Sequence, residues 1–323
     1  MAGRVAISML TFVFALGMLL PATVIAASPP PLRELPTNWQ QAPAIALWPG
    51  SPPGAEDFRP QILAQEWPVG FIRNVDAPQL KVFVPAQPNG HAVLVIPGGA
   101  YQFVSVVNEG AELAPRLTSL GFTVFVLIYR LPGEGWPDRS RVALQDAQRA
   151  MRLIRARSQQ YHLDADRTTV IGFSAGGHLA SMLATRYAEP TYQPLDAADR
   201  LDPRPLGVAL VYPVVTMRKP WTHGLSRDLL LGEQASEMEV DRSSAELRVN
   251  GSTPPLFIVH ALDDEAVPAE NSVRLMDAMR AAKRPYEIHL LQEGGHAFGI
   301  GRPGTPSAYW VDQFGAWAGR LAR

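Results

Sequence analysis

Apolar residues follow two patterns that alternate along the chain. Short unbroken runs rich in Val, Ile and Phe are typical of strands that are buried on both faces of a sheet. They predict strands at 79–84, 92–96, 123–129, 168–172, 207–212, 256–261 and 286–291. The stretches between them predict helices at 110–120, 141–158, 176–187, 269–282 and 307–321.

The stretch 142–154 shows the helical spacing, because its apolar residues form one stripe: Ala143, Leu144, Ala147, Ala150, Met151 and Ile154. Strands alternating with helices of these lengths indicate an α/β fold, with a mostly parallel central sheet and helices on both faces. In such a sheet, catalytic groups gather at the carboxyl ends of the strands, so candidate functional residues are sought there.

Two segments interrupt the alternation. A proline-rich stretch covers about residues 28–60, and a polar, irregular stretch covers 218–251. The length of 323 residues allows one large domain or two ordinary ones, and the sequence contains no internal repeat. We expect residues 27–323 to form a single domain, in which 218–251 is a small cap-like insertion.

The first residues have the composition of an export signal. One positive charge, Arg4, precedes an apolar run from Val5 to about Leu20, and Pro21 and several alanines follow. This pattern predicts a signal peptide at 1–26, and therefore secretion or a periplasmic location without membrane association. An uncleaved membrane anchor is the alternative, since the run is nearly long enough to span a bilayer. The prolines at 21 and 29–31 favour cleavage.

Composition narrows the possible functions. With 47% hydrophobic and 18% charged residues, the chain has the composition of a folded globular protein. A net charge of −1 argues against nucleic-acid binding through a general positive field. The absence of cysteine excludes disulfides, thiolate nucleophiles and zinc–cysteine sites.

The predicted strand 168–172 runs directly into a G-x-S-x-G sequence, Gly172-Phe173-Ser174-Ala175-Gly176, and a helix follows. In this setting a sharp turn strains the serine backbone and lifts its hydroxyl above the sheet, while the glycines let strand and helix approach closely. Ser174 is therefore the candidate nucleophile. The backbone amide of Ala175 is a candidate donor to the oxyanion that forms during acyl transfer.

A candidate base and a candidate acid follow the last two predicted strands. Asp263 and Asp264 come after strand 256–261, and His296 comes after strand 286–291. A serine nucleophile needs a histidine to accept its proton, and the histidine needs a carboxylate to orient it. The chain order Ser, Asp, His is that of α/β-hydrolases. Spacing alone does not distinguish Asp263 from Asp264.

Three other polar residues near these motifs are interpreted as structural. His260 lies within a buried strand and His178 lies one turn into the helix after Ser174, so both are expected to pack in the core. Glu109 precedes the predicted helix 110–120, where a negative charge at the amino terminus is favourable.

A loop of small residues, Pro97-Gly98-Gly99-Ala100-Tyr101, follows the predicted strand 92–96. Small side chains let backbone N–H groups approach a substrate oxygen. We therefore expect this loop to supply further oxyanion donors.

These motifs resemble those of α/β-hydrolases of the esterase/lipase group, and more narrowly of bacterial acetylxylan-esterase-like hydrolases. The matching stretches run from about residue 45 to the end: 47–50, 96–101, 127–132, 145–147, 172–178, 260–264 with 267–268, and 293–299. The resemblance implies that Asp264 is the acid, because the family's acid is separated from a Val-Pro pair by two residues. It implies Gly99 and Ala100 as oxyanion donors, although the lipase-like motif His-Gly-Gly-Gly lacks its leading histidine here. It also implies a structural role for Asp146.

The expected function is that of a secreted serine carboxylic-ester hydrolase that acts on small acyl, chiefly acetyl, esters of plant-type polysaccharides or oligosaccharides. Its mechanism uses Ser174, His296 and Asp264 and requires no metal or organic cofactor. The insertion 218–251 has no continuous apolar face for a long acyl chain, which favours a small acyl group. Open alternatives are a feruloyl or general short-chain carboxylesterase, a prolyl-oligopeptidase-like peptidase, and a non-catalytic scaffold that binds carbohydrate through Trp39, Trp48, Trp67, Trp136 and Trp221.

Overall fold

The computed structural model describes residues 34–62 and 67–321, so the predicted signal peptide at 1–26 lies outside the described residues. The strands are β1 (Ala44–Ala46), β2 (Phe71–Ile72), β3 (Gln79–Phe83), β4 (Ala92–Ile96), β5 (Val104–Ser105), β6 (Thr123–Ile128), β7 (Thr168–Phe173), β8 (Gly207–Val211), β9 (Leu256–Ala261) and β10 (Tyr286–Leu291). The α-helices are α1 (Thr37–Gln41), α2 (Leu113–Ser119), α3 (Val142–Ala156), α4 (Ser174–Arg186), α5 (Gly224–Leu231), α6 (Glu237–Arg242), α7 (Glu270–Ala281) and α8 (Trp310–Arg320).

Eight strands form one sheet in the order β1-β3-β6-β4-β7-β8-β9-β10. The strands from β6 to β10 in this order pair in parallel, whereas β3 pairs antiparallel with both β1 and β6. The short strands β2 and β5 form a separate antiparallel pair. The mostly parallel central sheet predicted from the sequence is confirmed.

The central strands are buried along their whole length, which explains their unbroken apolar sequences. Every residue of β4, β6, β7, β8 and β9 is buried. All seven strands predicted from the sequence are present, and their ends differ from the prediction by at most one residue. The sequence pattern does not predict β1, because this strand has only three residues and lies at the edge of the sheet.

The five predicted helices are also present, with two local differences. The helix expected at 110–120 is divided into a π-helical turn, Val107–Ala111, and α2. The last helix begins with a 3-10 turn at Pro306–Tyr309 before α8.

Helix α3 carries Asp146 on its buried side. The Asp146 carboxylate pairs with Arg130 at 2.8 Å in the core and accepts a hydrogen bond from Trp48 Nε1 at 2.9 Å. A buried carboxylate with a cation and a second donor is satisfied within the fold and is not available to a ligand. These contacts agree with the structural role that the resemblance implies for Asp146.

The polar sequence of the insertion 218–251 predicts an irregular segment, and this prediction is wrong. The insertion contains α5, α6 and a 3-10 turn at Ala245–Leu247. Helix α6 begins with a capping box between Ser236 and Glu239. Leu230 and Val240 anchor the two helices by burial. Helices this short are held by caps and a few buried contacts, so they leave little periodic pattern in the sequence. In the described parts of the chain, no helix combines the length and the hydropathy that crossing a membrane requires.

Candidate active site

Ser174 lies where strand β7 meets helix α4, at the carboxyl edge of the sheet. Its φ of 50° is in the left-handed region, as expected for the strained turn of a G-x-S-x-G motif. A Cβ on Gly172 would lie 2.5 Å from the Cβ of Ala180, and one on Gly176 would overlap the Ile96 carbonyl oxygen. Both glycines are therefore needed for the strand and the helix to pack around the serine.

Two hydrogen bonds connect Ser174 to Asp264 through His296. His296 Nε2 lies 3.0 Å from Ser174 Oγ, and His296 Nδ1 lies 2.7 Å from Asp264 Oδ2. Since a carboxylate only accepts, Nδ1 carries the proton of the neutral ring and Nε2 can accept the serine proton. The three side chains follow β7, β9 and β10, so the sheet brings together the three residues that the sequence predicts.

The Asp264 carboxylate is held by more than His296. Its Oδ1 accepts hydrogen bonds from the backbone N–H groups of Ala266 at 3.0 Å and Val267 at 2.8 Å, and His260 Nε2 lies 3.3 Å from Oδ2. Burial alone would raise the pKa of this carboxyl, but the bonds from the two histidines and from the Val267 amide outweigh it and hold the pKa well below its usual range. The acid therefore stays ionised while the imidazole beside it gains or loses a proton.

Asp263 is exposed and contacts the backbone instead of the imidazole. Its Oδ1 accepts a hydrogen bond from the Gly295 N–H at 2.7 Å, and this bond lowers the pKa of Asp263. The structure thus brings Asp264 to the ring of His296, and Asp263 to the loop that carries that ring.

His260 is a core histidine, as its place in a buried strand predicts. Its Nδ1 lies 2.7 Å from Ser272 Oγ, and its Nε2 lies 2.9 Å from the Val267 carbonyl oxygen. The approach of the same Nε2 to Asp264 was not predictable from the sequence, because it depends on how the turn after β9 folds back onto its own strand.

The loop after β4 passes through the left-handed region at three successive residues, with φ of 120° at Gly99, 57° at Ala100 and 61° at Tyr101. A side chain at Gly99 would overlap the Phe103 carbonyl oxygen, so this position requires glycine. Among the residues that the structure describes, the N–H groups of Gly99 and Ala100 have no hydrogen-bond acceptor. Ala175 is the second residue of α4, where an amide has no acceptor within the helix. None of the three predicted oxyanion donors is therefore committed to an acceptor within the loop or the helix.

Tyr101 anchors this loop to helix α4. Its hydroxyl lies 2.7 Å from His178 Nδ1, and His178 Nε2 lies 2.7 Å from the Ser243 carbonyl oxygen. Because a carbonyl only accepts, Nε2 carries the proton and Nδ1 accepts the tyrosine proton. Burial lowers the pKa of His178 to about 4, so the ring is neutral at ordinary pH. His178 is a core residue, as the sequence interpretation expects, and it also links the oxyanion loop to the end of α6.

A cavity of about 410 Å³ is lined by both Ser174 and His296. Its wall includes Phe103 from the segment after the oxyanion loop, and His223 and Leu225 from the insertion. This volume lies toward the lower end of the range for small-molecule sites, about 300–1,000 Å³.

The tryptophans considered for sugar stacking divide into two groups. Three are buried and pack within the fold: Trp39, Trp48 and Trp136. Trp67 and Trp221 are partly exposed. The Trp67 ring lies 5.6 Å from that of Phe103, which in turn stacks on Phe71 at 4.1 Å and lines the cavity.

Glu109 lies in the first turn of a helical segment, as the sequence interpretation expects, but its contacts go beyond a favourable charge at a helix end. The side chain is 3% exposed, belongs to the π-helical turn and lines the cavity. Its Oε2 accepts the Gly98 N–H at 2.6 Å, and its Oε1 accepts the Tyr212 hydroxyl at 2.9 Å. Burial raises the pKa of Glu109 to about 6, against the effect of these two bonds. The available signal was a lone acid within the largely apolar stretch 104–111.

Sequence reasoning also missed His223, the residue that caps α5. Its Nδ1 accepts a hydrogen bond from the Ser226 N–H at 3.3 Å and lies 2.8 Å from Ser226 Oγ. Because Nδ1 accepts a backbone proton, the neutral ring carries its own proton on Nε2. Burial, helped by the nearby His296, lowers the pKa of His223, which favours this neutral form. No motif marks this residue, because the helix it caps is not predicted.

Comparison with known proteins identifies relatives among xylan-related enzymes. The acetylxylan esterase of Xylanibacter ruminicola is 30% identical over 69% of this chain and 44% of its own length. The endo-1,4-beta-xylanase B of Butyrivibrio fibrisolvens is 34% identical over 64% of this chain and 32% of its own length. The chain therefore spans less than half the length of these two curated relatives.

A solved structure covers more of the chain. The acetyl ester-xyloside bifunctional hydrolase of Caldicellulosiruptor lactoaceticus matches with a TM-score of 0.73 and 29% identity, over 87% of this chain and 97% of that one. The predicted α/β-hydrolase fold and the resemblance to acetylxylan-esterase-like hydrolases are confirmed. Residues 80–279, which include Ser174 and Asp264, match the family model described as BD-FAE. On this match over more than half of its residues, the chain belongs to the BD-FAE family.

Proposed function

We propose that this protein is a serine-type carboxylic ester hydrolase. The observation that carries the proposal is the hydrogen-bonded series from Ser174 Oγ through His296 to Asp264, whose serine and histidine line the 410 Å³ cavity. The esterase names of the relatives support the same reaction class.

Acylation begins when Ser174 Oγ attacks the ester carbonyl carbon and His296 Nε2 takes the hydroxyl proton. The Asp264 carboxylate holds Nδ1–H and stabilises the imidazolium that forms. The imidazolium then gives its proton to the alcohol oxygen as the carbon–oxygen bond breaks. The alcohol leaves, and the acyl group remains on Ser174.

Deacylation repeats these steps with water. His296 takes a proton from the water as its oxygen attacks the acyl carbon, and the proton returns to Ser174 when the acid is released. In both halves the negative charge on the carbonyl oxygen would be stabilised by the amides of Gly99, Ala100 and Ala175, which have no acceptor of their own in the loop or helix.

We propose further that the substrates are small acyl, chiefly acetyl, esters of plant-type polysaccharides or oligosaccharides. The names of the relatives, an acetylxylan esterase and an acetyl ester-xyloside hydrolase, support this class. Of the insertion 218–251, only His223 and Leu225 line the cavity, so this segment offers a long acyl chain little apolar surface. A CH₂ group contributes about 0.8 kcal/mol of binding free energy only where it is buried. A longer acyl chain should therefore gain little binding free energy from this segment.

The test compares the protein with its Ser174→Ala variant on 4-nitrophenyl esters from C2 to C12. We expect the wild type to prefer the acetyl ester, with kcat/KM falling steeply by C8, and the variant to lose at least about a thousandfold with its fold intact. Retention of more than about a tenth of the activity would mean that another residue is the nucleophile. A maximum of kcat/KM at C8 or longer would exclude the small-acyl proposal. Failure to release acetate from acetylated xylo-oligosaccharides would exclude sugar esters as the substrate.

Aromatic acyl esters such as feruloyl esters are a second candidate. The stacked pair Phe71 and Phe103, with Trp67 against it, gives the cavity an aromatic wall that could receive a planar ring. 4-Nitrophenyl ferulate in the same assay decides between the candidates. A kcat/KM above that for 4-nitrophenyl acetate, which has the same leaving group, would favour the aromatic acyl group.

We also propose that the protein is exported, on the basis of the apolar run and small residues within 1–26. Amino-terminal sequencing of the chain recovered outside the cytoplasm of an expressing bacterium should begin near residue 27. Recovery of the full-length chain with the membranes would instead favour an uncleaved membrane anchor.

A further inference from the structure

The buried carboxyl of Glu109 is an ionisable group that the proposed mechanism leaves unused. It is 3% exposed, and among the described residues it has no ion-pair partner. A carboxylate buried without a cation destabilises the fold unless other donors satisfy it. Its position in the cavity wall beside Ser174 therefore needs an explanation.

One of its two donors belongs to the oxyanion loop. The Gly98 N–H donates to Glu109 Oε2 at 2.6 Å, a short bond of the charge-assisted kind. A Cβ on Gly98 would lie 2.9 Å from Ser174 Cβ and 2.8 Å from the Phe173 carbonyl oxygen, so the loop passes close to the nucleophile here. The next two amides along the chain are those of Gly99 and Ala100.

The other donor reaches the histidine loop. The Tyr212 hydroxyl donates to Glu109 Oε1 at 2.9 Å and accepts the Gly299 N–H at 3.2 Å. The Tyr212 ring also lies 4.9 Å from the ring of His296. A single carboxyl therefore connects the loop before the oxyanion donors with the loop that carries the base.

We propose that Glu109 is a positioning residue that fixes the oxyanion loop relative to Ser174 and His296, through Gly98 on one side and Tyr212 on the other. The proposal rests on the function proposed above. It assigns Glu109 no proton transfer, since His296 already contacts the serine hydroxyl. Misplacing a loop of oxyanion donors weakens binding of the transition state more than binding of the substrate.

The test compares Glu109→Leu with Glu109→Gln in the full chain on 4-nitrophenyl acetate. Leucine removes both acceptors, so kcat should fall about 10- to 100-fold with KM within about threefold of wild type, because removing a whole oxyanion donor costs about 10²–10³. Glutamine keeps an acceptor for Gly98 and a donor for the Tyr212 oxygen, so kcat should stay within about fivefold. Affinity for phenylboronic acid, which forms a tetrahedral adduct on a serine, should fall in the leucine variant by a factor similar to that in kcat.

Three results would overturn the proposal: a Glu109→Leu variant with kcat within threefold of wild type, a loss that appears only in KM, or a glutamine variant as impaired as the leucine one. Should the leucine variant fail to fold, Glu109→Asp takes its place, because its shorter carboxylate cannot reach both partners. It should lose kcat in the same way, and wild-type kcat would overturn the proposal. If the wild type hydrolyses no ester, the proposed function fails. That outcome is distinct from the ratios of kcat between the Glu109 variants and the wild type.

Discussion

The neighbouring carboxylates of Asp263 and Asp264 differ in what they contact, although sequence spacing does not distinguish them. Asp264 bonds to the His296 ring at 2.7 Å, and Asp263 bonds to the Gly295 amide at 2.7 Å. The direction of each side chain depends on the turn after β9, in which the Ala266 and Val267 amides hold the Asp264 carboxylate. A turn of this kind is set by backbone geometry, so only the resemblance to a family indicated Asp264 from the sequence.

Replacing each acid by asparagine tests this difference. Asp264→Asn should lower kcat/KM by about three to four orders of magnitude, because the amide neither stabilises an imidazolium nor enforces the reactive tautomer. Asp263→Asn is the matched control and should stay within about tenfold, since the amide oxygen can still accept the Gly295 N–H. The measurement is kcat/KM on 4-nitrophenyl acetate at pH 8. A larger loss in Asp263→Asn than in Asp264→Asn would contradict the assignment.

At the scale of elements, seven of the eight strands of the described sheet were predictable to within one residue, whereas its edge strand β1 and the helices of the insertion were not. The reason is burial: β7 and β9 have every residue buried, so their sequences are continuous apolar runs. Helices α5 and α6 bury few side chains and depend on polar caps at His223 and Ser236. The Ser, Asp and His positions could be predicted because each follows a strand that the apolar pattern predicts, whereas Glu109 lies in a π-helical turn and His223 caps a helix that the pattern missed.

The capping histidine of α5 provides a prediction about specificity. Its Nδ1 is occupied by Ser226, so Nε2–H is the donor left for a substrate oxygen in the cavity. His223→Asn keeps a good capping residue but removes this donor. We expect kcat/KM on acetylated xylo-oligosaccharides to fall about three- to tenfold, as for one hydrogen bond, with 4-nitrophenyl acetate within twofold.

The control for this prediction is the midpoint temperature of thermal unfolding, Tm. It should be nearly unchanged in His223→Asn and lowered in His223→Ala, because alanine also removes the helix cap. Equal losses on the sugar ester and the nitrophenyl ester would contradict a contact with the sugar.

At the scale of the whole molecule, buried ionisable groups set the pH range in which the fold is stable. Burial lowers the pKa of both His91 and His178 to about 4, from 6.5 in an exposed histidine. Between pH 6.5 and 4 the unfolded chain therefore binds more protons than the folded chain, and the free energy of unfolding falls as the pH falls. Glu109 acts in the opposite direction, since its raised pKa makes the folded chain bind more protons between pH 4.5 and about 6.

His91 allows this balance to be tested away from the active site. In the part of the chain that the structure describes, neither of its ring nitrogens has a hydrogen-bond partner. His91→Leu should therefore reduce the loss of unfolding free energy between pH 7.5 and 4.5 by about 2–3 kcal/mol, measured by urea unfolding. The exposed His162, changed to Asn, is the control and should leave the loss as in wild type. An unchanged loss in His91→Leu would contradict the assignment of His91 as a buried neutral histidine.

The bond between His178 and the Ser243 carbonyl has a consequence for engineering. Ser243 ends α6, and through His178 it supports Tyr101 and hence the loop with the oxyanion donors. A designer who grafts the specificity segment of another hydrolase onto this scaffold should therefore place the downstream junction before α6. Grafts that retain α6 preserve this support while replacing residues such as His223 and Leu225, which line the cavity. The insertion is thus divisible into a part open to exchange and a part that, through His178, supports the loop of the predicted oxyanion donors.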